Sequence, residues 1–287
     1  MLPRALAVWP VLAAEILIFG TAVFARFISP RGDSRNAVAR ALTLLWRWLV
    51  VLMALMAPVA LLVFSSDMAN MAIEQVPPFV PEVIRQTHFG HVWSIEYALV
   101  LVLLVVAWVP LRIPTRTWAL FVLAGALLLL RAFSDHAIDQ GVLAVVIYLI
   151  HEASAGLWIG AILGLWFAMV RARMDRDWEI RAAPRVSLVA EASVTILILS
   201  GIYTAYYMLN RNPGALIHST YGRVLIVKVG AATVVWLIGG YNRLVLVPTV
   251  NQAASGRSLV RNVGIESVLL IGVLFLAALL ANTAPAH

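Results

Sequence analysis

Eight mainly apolar stretches constrain this chain more than any other feature. They run roughly 5–25, 45–64, 92–111, 116–133, 143–170, 186–208, 221–247 and 263–282. About 20 apolar residues at ~1.5 Å rise cross a bilayer's hydrocarbon core. Inside lipid a span must pair its own backbone groups, and the alternating pattern of barrel strands is absent. The expected fold is therefore all-α: a polytopic membrane helical bundle of about eight transmembrane helices. The first stretch is too long for the apolar part of a signal peptide. It carries Glu15 and leads into a basic loop, so it is read as a helix. Residues are 62% hydrophobic and 12% charged, against about 25% charged in soluble domains. That excludes a soluble globular protein, a disordered chain and an ordinary nucleic-acid-binding domain. Residues 1–287 are expected to form a single transmembrane domain.

Orientation follows from the arginines. Of 21 basic residues, only Arg4, Arg85, Arg131, Arg211, Arg223 and Lys228 fall on the side holding both termini. The other fifteen cluster on the opposite side, which the positive-inside rule makes cytoplasmic. Both termini are then expected to be periplasmic, in a bacterial inner membrane. The longest polar interruptions are about 65–91 outside and 171–185 inside. The first contains Val76-Pro77-Pro78-Phe79-Val80-Pro81, which cannot be a continuous helix, and 67–75 is read as a short interfacial helix before it.

Under this topology all six histidines lie on the outer side. His88 and His91 stand three apart at the mouth of the third span, a spacing that puts two imidazoles on one helical face able to chelate one metal. The plain alternative is solvated interfacial histidines. His136 lies in Ser134-Asp135-His136-Ala137-Ile138-Asp139, where the two aspartates either orient its ring or merely belong to a polar loop. His151 sits about eight residues inside the fifth span, ~12 Å along the axis. Ionisable groups at that depth are costly and face a bundle interior or a water-filled cavity. Glu152 diverges from it by ~100°, so one side chain can face a ligand while the other packs on another helix. A buried histidine bonded to a neighbouring helix is the alternative.

Met53 with Met56, and Met68 with Met71, form Met-x-x-Met pairs, which suit copper(I). For the first pair apolar filler is the default; the second lies in a polar segment. Gly156, Gly160 and Gly164 leave one helix face bare, which implies close packing rather than chemistry. Glu15, Glu96, Glu191, Lys228 and Glu266 are further ionisable groups within spans. Lys228 and Glu96 are candidates to pair in the outer half, and Glu191 and Glu266 to cap helices near the cytoplasmic ends. Cysteine is absent, so there is no disulfide framework and no thiolate ligand or nucleophile. No phosphate-binding Gly-x4-Gly-Lys-Ser/Thr loop occurs, no catalytic set is expected, and a transporter or binding protein is favoured over an enzyme.

His151-Glu152-Ala153-Ser154-Ala155-Gly156-Leu157-Trp158-Ile159-Gly160 resembles the His-x5-6-Trp-x-Gly signature of the copper resistance protein D (CopD) family. Thr87-His88-Phe89-Gly90-His91-Val92-Trp93 resembles its Thr-x-Phe-Gly-x-x-Trp element, and Ser134-Asp135-His136-Ala137 its Ser-Gly-His-Ala. Ser200-Gly201-Ile202-Tyr203, the run Tyr221 to Lys228, and Asn242-Arg243 before Pro248 resemble further blocks. The resemblance spans roughly 65–250. It implies an inner-membrane protein that takes copper from a periplasmic carrier and passes it inward, with His136 and His151 as metal-site histidines. His88, His91 and Asp135 depart from the pattern and add ligands.

The leading expectation is therefore copper binding at the periplasmic face and inward transport. The metal ligands are drawn from His88, His91, His136, His151, Met68, Met71 and Asp135, with a separate periplasmic carrier protein as partner. The membrane potential favours cation entry by about 2.3 kcal/mol per charge per 100 mV. A rival reading is a haem b electron carrier or oxidoreductase, with His88 or His91 opposite His136 or His151 as axial ligands. A third keeps a structural or redox copper site without transport. Zinc suits His and Asp, but the methionine pairs argue against it.

Overall fold

The computed structural model describes residues 2–134 and 141–284. Ten α-helices occur among them. They are α1 (Leu2–Val23), α2 (Asp33–Ala69), α3 (Val80–Gln86), α4 (His88–Trp108), α5 (Ile113–Ser134), α6 (Val142–Val170), α7 (Arg176–Met208), α8 (Ala215–His218), α9 (Thr220–Tyr241) and α10 (Ala253–Ala281). Helix α1 continues as a π-turn at Phe24–Ile28, and α9 at Asn242–Leu246. Eight helices are long and apolar enough to cross a membrane, all except the short α3 and α8. No strand occurs among the described residues.

The expected spans are all present, but several helices outrun the apolar stretches. Helix α2 has 37 residues, ~55 Å at helical rise, well beyond the ~30 Å hydrocarbon core. It also absorbs the start of the segment read as a separate interfacial helix. Helix α2 runs on to Ala69, ends where Asn70 turns left-handed (φ 50°), and is followed only by 3-10 turns at Ile73–Gln75 and Pro77–Phe79. Met68 and Met71 thus fall on either side of a helix end and share no helical face.

Helix α1 is the axis of the bundle. Of its most apolar stretch 78% is buried, against 6% for α9, and it packs on α2, α5, α6 and α10. Small residues permit this. A Cβ added at Gly20 would overlap the carbonyl of Gly156, one at Gly160 would overlap the backbone of Gly20, and one at Gly164 would meet the Phe24 ring. The glycine face of α6 is therefore a packing seam, as its spacing implies. Buried Trp46 of α2 donates its indole N–H to Thr21 Oγ1 at 2.9 Å, tying α1 to α2 beside that seam.

One capping device is used twice. Thr87 accepts the Gly90 N–H at 2.9 Å and starts α4; Ser219 accepts the Gly222 N–H at 3.0 Å and starts α9. A Cβ at Gly90 would overlap Val83 of α3, and one at Gly222 would overlap Leu216 of α8. Each glycine lets a short preceding helix fold back on the span it introduces. Much of the Thr-x-Phe-Gly element is thus accounted for by N-capping and close approach.

Candidate functional site: a cavity in the arginine-poor half

A cavity of about 990 Å³ enters the bundle at the end holding the termini. Arg4, Phe64, Phe89, Ser219, Thr220 and Asn282 contribute to its lining there, and Glu15, Met53, Glu96, Leu127, Arg131 and Tyr148 contribute further along their helices. Arg4 and Glu15 are eleven residues apart on α1, so the cavity runs ~16 Å along that helix. Its apolar wall reflects a proline. Pro58 lies inside α2 and has no N–H for the Ala54 carbonyl. The Tyr97 hydroxyl of α4 donates to that carbonyl at 3.4 Å, and Trp93 Nε1 donates to the Ala57 carbonyl at 3.2 Å. The Trp93 and Tyr97 rings stack with centroids 4.9 Å apart, and both line the cavity.

Its charge is organised around Arg131 of α5. Arg131 donates Nε to Glu15 Oε2 at 3.1 Å and pairs with the same carboxylate through Nη2. Glu15 is 1% exposed, and its Oε1 has no hydrogen-bond partner among the described residues. Glu96 and Glu152 also act on Arg131 electrostatically, and Glu152 acts on Lys228 of α9. Three acidic side chains, Glu15, Glu96 and Glu152, thus act on Arg131, and Glu152 also acts on Lys228. Burying such a set is tolerable only because the opposite signs offset each other.

His151 and Glu152 diverge as neighbours on a helix must. Glu152 is buried and accepts the Tyr148 hydroxyl at 3.0 Å, on the cavity side. His151 turns to α7, where its Nδ1 lies 2.9 Å from Ser200 Oγ. That hydroxyl is already committed: Ser200 donates to the Ile196 carbonyl at 2.6 Å. Ser200 must then accept from Nδ1–H, which fixes the neutral ring with its lone pair on Nε2. A histidine whose Nδ1–H is held this way is prepared to ligate metal through Nε2.

The remaining described candidates lie near the mouth. His88 opens α4 and is exposed; His91, also exposed, has Nε2 3.0 Å from the Arg85 carbonyl. Phe89 between them lines the cavity and meets Phe64 at 5.2 Å. Met68 and Met71 are 55% and 37% exposed. Asp135 and His136 lie outside the described residues. Among the described residues no three His, Asp or Glu side chains gather as ligands for one ion. Met53, read as apolar filler by default, is fully buried in the cavity wall. The Glu15–Arg131 pair was missed because it joins residues 116 apart; a lone acidic residue in the first span was its only signal.

These features define a multi-pass membrane protein with a cavity between its helices, mainly apolar in its lining but carrying Glu15, Glu96 and Arg131. The description "Copper resistance protein D-like, N-terminal domain" matches residues 3–145, and "Copper resistance protein D" matches 180–280. The chain belongs to the copper resistance protein D family, and its place is the inner membrane. It is 28% identical to the copper transport protein CutJ of Bacillus subtilis over 72% of this chain and 39% of CutJ. It therefore spans well under half of that relative's length. It is 28% identical to the inner membrane protein YebZ of Escherichia coli, over 83% of this chain and 82% of YebZ. It is 22% identical to copper resistance protein D of Pseudomonas syringae pv. tomato, over 94% and 93% of the two chains. No solved structure matches.

Proposed function

We propose that this protein accepts copper at its arginine-poor, periplasmic face and carries it inward. The observation that supports this most is the ~990 Å³ cavity, which enters from that end and reaches the buried Glu15 carboxylate. A cation entering there meets negative charge from Glu15, Glu96 and Glu152, moderated by Arg131. His88, His91, Met68 and Met71 near the mouth, together with Asp135 and His136, are the residues to which a periplasmic carrier hands its copper. His151 holds the ion deeper in the bundle through Nε2, with Ser200 as its positioning residue. The inward direction rests on the arginine asymmetry and on a membrane potential that favours cation entry.

The test is cellular copper in cells expressing the protein or a His151→Ala variant at matched levels. Higher accumulation with the unaltered protein than with the variant supports inward transport through His151. Equal accumulation removes it.

A further inference from the structure

The arginine-rich half of the bundle holds a second, smaller cavity of about 240 Å³, walled by α6, α7, α9 and α10. It shares no lining residue with the outer one. Glu266 of α10 lies in its wall and is 1% exposed, thirteen residues beyond the helix start at Ala253. It is therefore not a cap near water, as its place in the sequence led us to expect. Two amides fix one side of it. Asn262 Nδ2 donates to Asn242 Oδ1 at 2.9 Å, and Asn242 Nδ2 donates to Glu266 Oε1. Glu266 Oε2 has no hydrogen-bond partner among the described residues. It lies toward Gly239, a cavity-lining residue at which an added Cβ would stand 3.4 Å away. Asn242, the donor, opens the π-turn of α9, a distortion that recurs at functional sites.

The other charged groups facing this cavity are Glu191 of α7 and Arg243 of the α9 π-turn, and they serve each other. They pair at 2.6 Å, and Arg243 also donates to Ser187 at 3.2 Å. Helix α6 contributes apolar Trp158, Ile162 and Leu165, and α10 adds Leu259 and Val263. An ionised Glu266 would thus be a buried charge with one bare oxygen and no cation paired to it, which is costly.

We propose that Glu266 is a proton-binding site. The carboxyl carries its proton on Oε2, the oxygen the amide chain leaves open, and gives it up to water entering the cavity from the arginine-rich end. The donors select the proton over other cations. No thioether or imidazole is present for copper(I), and one open carboxylate oxygen cannot build the six-oxygen shell of a hard metal ion. The proposal does not rest on copper passing through the protein.

A protonated carboxyl in an apolar membrane site adds its O–H across one C=N bond of dicyclohexylcarbodiimide, and the resulting O-acylisourea rearranges, with no atom lost, to a stable N-acylurea. The full chain in lipid nanodiscs, treated with the reagent at a series of pH values and mapped by mass spectrometry, should carry the adduct on Glu266 and not on ion-paired Glu191. The yield should fall about tenfold per pH unit above the titration point. No adduct at Glu266, or a yield indifferent to pH, would overturn the proposal. So would loss of labelling on adding sodium at constant pH, which would mark a metal-cation site. This measurement needs no variant, so a folding failure cannot mask it. As a second readout, the infrared band of a protonated carboxyl should vanish in Glu266→Gln and persist in Glu191→Gln. Identical spectra for Glu266→Gln and the unaltered protein would also overturn the assignment.

Discussion

Helix α1 changes character within five residues. At Glu15 it faces the larger cavity and a guanidinium on α5. At Gly20 it lies so close to α6 that neither helix has room for a methyl group. The same helix is therefore open on its arginine-poor side and sealed on the other. The difference lies in side-chain size and charge rather than in backbone shape. Charged groups hold helices apart because they need room for partners and water, whereas glycines let them close. A cavity that ends above a glycine seam gives an ion access from one end only, so onward passage requires the seam or a neighbouring helix to move.

The largest expected effect comes from forcing the sealed part open. Gly20→Leu places a side chain where the Gly156 carbonyl already is, and the loss should exceed about 5 kcal/mol, the range of rare, structure-breaking substitutions. The measurement is recovery of monodisperse protein after detergent extraction, with Gly272→Leu as control, since nothing lies within 4 Å of a Cβ at Gly272. Similar recovery of both variants would mean the seam is not tight. Next is the open part. Arg131→Gln leaves Glu15 buried without its cation and should cost about 3–5 kcal/mol, while the double variant with Glu15→Gln should regain most of that. Thermal unfolding in detergent reads both. A double variant no better than the single would show that the two groups do not act as a pair.

The two parts were unequally legible in the sequence. Gly156, Gly160 and Gly164 announce a packing face because their spacing returns to one side of a helix. Their partner Gly20 stands alone in its span, and nothing local marks it. Eight spans follow directly from apolar length, yet the extent of α2 does not, because polar turns at either end extend a helix without adding hydropathy. The divergence of His151 from Glu152 is helix geometry and could be foreseen. That His151 would turn to Ser200, and Glu152 to the cavity side, depends on which helices lie beside α6. Glu266 was misplaced for a related reason. Its depth was counted from the apolar stretch starting near 263, whereas α10 starts at Ala253. Asp135 and His136 lie outside the described residues, so they stay tied to their place in the sequence and, for His136, to the resemblance.

A smaller effect sharpens the role of His151, which faces α7. Ser200→Ala removes the acceptor that fixes Nδ1–H, and the loss of an outer partner of a metal-bound histidine typically costs 10–100-fold in affinity. Copper affinity of the purified protein should fall within about that range, and Ser200→Thr, which keeps a hydroxyl, should restore it. If His151 were only a packing residue, Ser200→Ala would lower the unfolding midpoint and leave copper affinity unchanged.

The smallest effect belongs to the mouth of the cavity. Arg4 of α1 and Asp67 of α2 form an ion pair there, with side chains 37% and 39% exposed. Water and salt screen charges this open, so Arg4→Ala should cost no more than about 1 kcal/mol in thermal unfolding. Arg4 also lines the cavity, where its charge repels an approaching cation. Copper uptake by Arg4→Ala should rise modestly at low ionic strength, and the gain should fade as salt screens the charge. A stability loss as large as that of Arg131→Gln would show that the mouth is as dry as the interior, and the contrast between an open and a sealed part of α1 would fail.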